Sequence, residues 1–276
     1  MSSPTKVQKI ITPAGRSFVT KAKELMDHRE LVGLLAWRDF RVRYAQTFVG
    51  VTWAFFNPLV NLLILSFVFN RVAGVGTQGT PPLLYAAAGI LGWTFFAEAA
   101  SRAGESLMGN QNMVRKIYFP RLALPASAVV ASLPDLVVSL LLVLLMLLIQ
   151  TWWAPSQLYG LIFLFPLLIL TAFTAGTWIS ALTIRFRDFR FVVPVLLRLG
   201  LFAVPIAYPL SQIPAQWQGI YCLNPLVGLI EGFKWSLLGL PAPSPVVWLG
   251  LPVLITLFIT GLYLFHRVER YAADHL

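Results

Sequence analysis

The chain has 276 residues, of which 58% are hydrophobic and only 12% charged, about half the charge a soluble domain carries. Its mean hydropathy of +0.75 comes from several long apolar runs, which excludes an ordinary water-soluble fold and indicates a polytopic membrane protein. A net charge of +10 raises nucleic-acid binding, but the distribution of the charges argues for a membrane instead. Cys222 is the single cysteine, so no intrachain disulfide forms and no Cys/His spacing suits a metal.

Residues 1–30 are polar and basic without an apolar stretch, and are expected to form a cytoplasmic tail rather than a cleavable signal peptide. The stretch "WRDFRVRYAQTFVGVTWAFFNPL" follows, Trp37 to Leu59, with Arg38, Asp39, Arg41 and Arg43 crowded just ahead of an apolar run. Leu34, Trp37 and Tyr44 share one side of a helical wheel, and Asp39 and Arg43 are spaced for an i,i+4 pair opposite them. Arg38 and Arg41 fall near the apolar arc, so the amphipathicity is imperfect. An interfacial helix is the expectation, its basic groups held at the headgroups and its aromatics at the boundary.

Six spans are expected, at about 48–69, 83–100, 126–149, 158–184, 191–208 and 246–265. Each is long enough, at about 1.5 Å per residue, to cross or nearly cross a hydrocarbon core of roughly 30 Å. In the first, Trp53, Asn57 and Asn61 recur every fourth residue and share a face. Buried amides need partners, so this face turns toward other helices, a dimer seam or a wet path, with helix packing the commoner explanation. Glu98, Arg102 and Glu105 share a face late in the second span and are spaced to pair with one another. Asp135, next to Pro134 in the third span, has no neighbour of opposite charge in sequence, which marks it as a functional candidate. The fifth span carries Pro194, Pro205 and Pro209, expected to bend it. Between the fifth and sixth spans, "NPLVGLIEGFKWSLLGLP" is too short and, with Glu231 and Lys234, too charged for a span. With Gln212 to Tyr221 it reads as a re-entrant or interfacial helix pair, Asn224 capping and Pro225 opening the second helix.

Of the 21 Lys and Arg, all but Arg71 and Lys234 fall on one side of this topology. The positive-inside rule makes that side cytoplasmic and places both termini there, and the positive charge then serves orientation and attraction to anionic lipid. The fold class expected is an all-α membrane protein: six transmembrane helices, an N-terminal interfacial helix and a helix pair before the last span. Residues 31–270 form its transmembrane domain, and 271–276 a short cytoplasmic end.

No G-x-x-x-x-G-K-[ST] occurs, so nucleotide is not held by the P-loop route, and no H-E-x-x-H or G-x-S-x-G motif points to an enzyme. Two cytoplasmic loops remain as sites. "MGNQNMVRKIYFPRLALP" (Met108 to Pro125) suits either a plain positive-inside loop or a short docking helix, Asn110 to Tyr118, stopped by Pro120. In "TIRFRDFRFVVP" (Thr183 to Pro194), Arg187 and Asp188 between Phe186 and Phe189 suit docking or, more simply, interfacial anchoring.

Taken in order, "WRDFRVRYAQTFVGVTWAFFNPL", "NMVRKIYFPRLALP", "RFRDF", "PIAYPLSQIP" and "LNPL" resemble successive landmarks of the ABC-2-type permeases that export polysaccharides. These are the membrane subunits of O-antigen, teichoic-acid and capsule exporters, and the resemblance runs from about Leu31 to the last span. It implies a homodimer in the cytoplasmic (inner) membrane, paired with two copies of a P-loop ATPase subunit that carries the ATP and magnesium. No cofactor is expected in this chain. The cargo implied is a glycan linked to a polyprenyl pyrophosphate, and nucleic acid is not a partner. By the same resemblance the loop Asn110 to Arg121, with Asn110, Asn112, Arg115 and Lys116, contacts the ATPase or gates entry; Arg187 and Asp188, from their own loop, are expected as a further ATPase contact. Arg38, Arg41, Arg43 and Tyr44 meet the arriving lipid-linked substrate. Trp53, Asn57 and Asn61 line the pathway or a packing face, and spans one and five flank a lateral gate. The alternatives are an ABC-2 permease for a small hydrophobic molecule, a membrane-embedded enzyme of lipid-linked sugars, and a scaffold without transport.

Overall fold

The computed structural model describes residues 26–44, 52–68, 74, 76–116, 119–152 and 155–275. Most of the expected tail, the first residues of the first span, Phe69, Arg71 and Tyr118 lie outside these residues, as do the side chains of Trp53, Asn57 and Arg115. Every regular element among the described residues is helical. In chain order these are α1 (Arg29–Tyr44), α2 (Thr52–Ser66), α3 (Pro82–Gly109), α4 (Gln111–Lys116), α5 (Ala123–Val130), α6 (Leu133–Ile149), α7 (Leu161–Arg185), α8 (Phe189–Gly200), α9 (Ala215–Tyr221), α10 (Pro225–Leu238) and α11 (Gly250–His275), with short 3₁₀ turns between some of them.

Four stretches among the described residues are long and apolar enough to cross a membrane: Pro82–Gly109, Ala123–Ile149, Gln157–Arg185 and Pro245–Val268. They coincide with the expected second, third, fourth and sixth spans. The first of these is 78% buried over its apolar window and the others 33%, 33% and 22%, so α3 is the central post and the rest surround it. Its sequence explains this role. Ala86, Ala87, Ala88, Ala99, Ala100 and Ala103 are all buried, and small residues let neighbouring helices approach closely where lipid supplies no hydrophobic drive. The tightest approach is to α7. A Cβ placed on Gly176 would lie 2.4 Å from the Ala103 Cβ, so only glycine fits this crossing. On its other side α7 meets α11, where the Trp178 indole N–H donates to the Leu257 carbonyl at 2.8 Å.

The expected third span, over 126–149, is present and carries a turn at Ala131 and Ser132, between α5 and α6. Pro134 lacks the N–H that a continuous helix would need there, and the Ser132 hydroxyl donates to the Ala128 carbonyl instead. The fifth stretch departs further. Sequence predicts a bent helix over 191–208, whereas α8 has 12 residues and ends at Gly200. After one 3₁₀ turn the backbone is extended at Val204 (φ −132°, ψ 150°), as a residue before proline prefers. Val204, Ile206 and Ala207 are nevertheless buried, because this irregular segment is laid against α3 at Gly89.

The expected helix pair before the last span is present as α9 and α10. Asn224 accepts from the Leu226 N–H at 3.1 Å and Pro225 opens α10, as its sequence implies. α10 does not lie on the surface. Nearly all its side chains are buried, packed against α3 at Gly92 and α7 at Leu164.

Candidate functional site

Several helices meet at the basic end of the bundle. α1 carries Glu30 in its first turn and Arg41 and Arg43 in its last, a polarity that complements the helix dipole. Leu31 and Leu35 on its inner face join one apolar cluster with Leu107, Met113, Val114, Leu124, Ala181, Ile184, Phe265 and Val268. That cluster brings together the ends of α1, α3, α7 and α11 with the short α4. Helix α4 keeps the expected position, although its regular part is Gln111–Lys116 and Asn110 serves as the C-cap of α3. Val114 is buried under it, while Asn112 and Lys116, one turn apart, are exposed on its outer side. Arg187 and Asp188 are exposed as well, three and four residues beyond Ile184. The two loops singled out by sequence therefore stand on one shared support at the same end of the molecule.

The charges of α1 divide between two contacts. Arg38 donates to the Asp39 carboxylate and the Asn110 side-chain oxygen, each at 2.8 Å, tying α1 to the end of α3. Arg43 donates to Asp135 Oδ2 at 2.5 Å, and the Tyr44 hydroxyl donates to Asp135 Oδ1. The expected Asp39–Arg43 pair is therefore not made. Asp135, from the start of α6, offers Arg43 a part-buried carboxylate, and a charge pair gains strength as solvent is excluded. Asp39 is left to its immediate neighbour Arg38. Arg102 Nη1 also donates to Asp135 Oδ2, at 3.0 Å, and to the Ser132 hydroxyl at 3.2 Å, while its other terminal nitrogen pairs with Glu98. Of the expected Glu98, Arg102 and Glu105 group, the first two pair, and Glu105 is exposed. Arg41 is also exposed. Among the described residues no group of three or more His, Cys, Asp or Glu is arranged to hold a metal.

Trp53 and Asn57 lie on α2 with Asn61, whose side chain is exposed. Among the described side chains of this helix Leu62 is the most deeply buried.

At the far end lies a second polar cluster that sequence reasoning missed. Lys234 on α10 is fully buried. Its ammonium pairs with Glu231 at 3.0 Å, donates to the Tyr85 hydroxyl at 3.0 Å, and donates to the backbone carbonyls of Tyr208 (3.0 Å) and Pro205. The Tyr208 hydroxyl in turn donates to the Phe202 carbonyl at 3.0 Å and meets the Tyr221 hydroxyl at 2.8 Å. Carbonyls freed by the break after α8 thus find donors from α10 and from the tyrosine itself. Such repair is what permits non-helical backbone within a membrane bundle. The only hint in sequence was the i,i+3 spacing of Glu231 and Lys234.

This arrangement has relatives. The family model described as "ABC-2 type transporter" matches residues 30–238. The chain belongs to the ABC-2 type transporter family. Among similar members is the O-antigen export system permease protein RfbA of Myxococcus xanthus, 29% identical over 258 residues, which cover 91% of this chain and 97% of that one. An O-antigen export system permease protein RfbA of Klebsiella pneumoniae is 26% identical, with 90% and 95% covered. The polysialic acid transport protein KpsM of Escherichia coli is 24% identical, with 87% and 93% covered. The family match begins within α1 and ends at the last residue of α10, so both polar clusters lie inside it.

Proposed function

We propose that this chain is the transmembrane permease subunit of an ATP-driven exporter that moves a lipid-linked polysaccharide, O-antigen-like in kind, across the cytoplasmic membrane. The observation that carries this reading is the joint support of α1, α4 and the end of α7 on a single apolar cluster at the basic end. The near full-length similarity to polysaccharide export permeases supports the choice of cargo.

In this reading the basic end is cytoplasmic, both termini lie there, α1 rests at the interface, and α2 and α8 complete six spans around the four long ones. Two copies assemble, and each engages one P-loop ATPase subunit through Asn110, Asn112, Arg115 and Lys116 on one side and Arg187 and Asp188 on the other. The cluster of Leu35, Leu107, Val114 and Ile184 is close-packed, and such a contact transmits displacement rather than absorbing it. A push on α4 therefore reaches α1 and the ends of α3 and α7 together. ATP acts by favouring one of two arrangements of these helices, and only a difference in partner affinity between the two supplies that bias. Arg38, Arg41, Arg43 and Tyr44 meet the pyrophosphate of the lipid carrier, and the cargo passes between the first and fifth spans, beside the α2 face that carries Trp53, Asn57 and Asn61.

The coupling surface has a direct test. Lys116→Glu reverses an exposed charge without touching the apolar support, so the chain folds and inserts normally. Co-purification with the ATPase subunit is expected to fall roughly tenfold, the scale of one lost charge contact of about 1.4 kcal/mol. ATPase activity stimulated by the complex falls with it. Undiminished assembly and stimulation in Lys116→Glu combined with Asn112→Asp would remove α4 from the coupling surface.

A further inference from the structure

The contacts of Asp135 have the form of an occupied anion site. Three donors from two separate helices converge on one carboxylate: Arg43 and Tyr44 from the last turn of α1, and Arg102 from α3. Both guanidinium groups address the same oxygen, Oδ2, at 2.5 and 3.0 Å. Two cations held that close repel each other unless an anion lies between them. Ser132, at the break before α6, takes a further hydrogen bond from Arg102, and Glu98 balances the remaining charge. The side chains are part-buried, with 22% of Arg43, 28% of Arg102 and 14% of Asp135 exposed, so the cradle is shielded yet open to a ligand. Paired guanidiniums with the Tyr44 hydroxyl suit a phosphate or diphosphate oxyanion better than a single carboxylate, because more oxygens and more charge meet the same donors.

We propose that Asp135 is a resident anion, holding together an oxyanion site built from Arg43, Tyr44 and Arg102, with Ser132 steadying Arg102, that the diphosphate headgroup of a lipid takes by displacing the carboxylate. This rests on the reading of the chain as a permease for a lipid-linked cargo, and it adds Arg102 and Asp135 to the groups that handle the headgroup. It also gives Asp135 a duty that its position near the start of a span otherwise lacks. An empty site stays closed on its own carboxylate, and Arg43 and Tyr44 leave α6 only for a ligand that satisfies them better. Binding of cargo and loosening of the last turn of α1 from α6 become one event. A neutral lipid, or one without phosphate, has nothing to offer the two arginines and does not compete.

The test is binding of undecaprenyl diphosphate to the permease–ATPase complex in nanodiscs, with undecaprenol as the phosphate-free control. Asp135→Asn removes the competing anion but keeps the size and hydrogen-bonding reach of the side chain. It is expected to bind the diphosphate lipid roughly tenfold tighter than wild type, a change of about 1.4 kcal/mol. Arg102→Gln is expected to bind it at least tenfold more weakly, and undecaprenol is expected to respond to neither change. Co-purification with the ATPase subunit certifies that each variant is folded. Inorganic pyrophosphate, added from the aqueous side, should compete in Asp135→Asn. Competition at concentrations far above that of the lipid assigns the site to a membrane-delivered headgroup, and equal affinity assigns it to a soluble diphosphate; either supports the oxyanion site. Unchanged or weaker lipid binding in Asp135→Asn, a parallel gain for undecaprenol, or no competition by pyrophosphate would overturn it. Should the wild-type complex bind the diphosphate lipid no better than undecaprenol, and Asp135→Asn bind pyrophosphate, the oxyanion site stands and the lipid-linked cargo falls.

Discussion

Replacing Lys234 with methionine is expected to cost the folded protein about 3–5 kcal/mol, the penalty for removing one partner of a buried charge pair. Methionine nearly matches the length of the side chain but donates nothing. Glu231 then keeps a charge without its ammonium partner, and the carbonyls of Pro205 and Tyr208 lose the donor that replaced the interrupted helix. In detergent the variant should lose its fold at a temperature roughly 10 °C lower than wild type. Adding Glu231→Gln to Lys234→Met should recover part of the loss, since the lone carboxylate is then neutral. A melting temperature for Lys234→Met within about 2 °C of wild type would mean that Lys234 does not hold the segment after α8 in place.

Gly89→Val attacks the same segment from the opposite side. A Cβ at this position would lie 2.5 Å from the Ile206 carbonyl oxygen and 2.9 Å from its Cα. Both obstacles are backbone, so no side-chain rotation relieves them. Even alanine forces the irregular segment away from α3. The cost is expected to be about 1–3 kcal/mol for alanine and greater for valine. Because both substitutions act on Val204–Tyr208, their effects should be less than additive when Gly89→Val and Lys234→Met are combined. Full additivity in thermal melts would show that the two sites act on different parts of the fold.

Much of this molecule is legible in its sequence, for reasons that differ from element to element. Four long spans announce themselves by apolar length, and the cap of α10 by the Asn224–Pro225 pair. The position of α4 follows from polar residues trapped between two apolar runs and a proline. What escaped has a common cause, namely contacts between residues far apart in the chain. Asp135 has no opposite charge nearby in sequence, because its partners Arg43 and Arg102 stand 92 and 33 positions away. Asp39 and Arg43 have helical spacing, yet a carboxylate from another helix wins the arginine. Pro205 and Pro209 signal a disturbance in the fifth stretch. They do not reveal that regular helix ends at Gly200, nor that a lysine on α10 satisfies the freed carbonyls. Lys234 read as evidence against burial, since a charge in an apolar run is costly. That argument fails when four oxygens surround the ammonium group.

The two clusters also divide the labour of the fold. At the far end the Lys234 ammonium is fully buried among fixed backbone and side-chain oxygens, as suits a fixed joint between the broken segment and α10. At the basic end the Asp135 cluster is part-exposed and spans α1, α3 and α6, and it stands beside the apolar support of α4. If α4 is displaced as proposed, the Asp135 cluster is the nearer of the two to it.

Export of a lipid-linked polysaccharide can be read out by deleting the gene in its host and following glycan by leaflet, with surface labelling set beside whole-cell extraction. Surface polymer is expected to disappear while lipid-linked polymer accumulates inside, and a plasmid-borne wild-type copy is expected to reverse both changes where Lys116→Glu does so poorly. Surface glycan unchanged by the deletion would contradict that export, and would leave an ABC-2 permease for a small hydrophobic molecule as the better account.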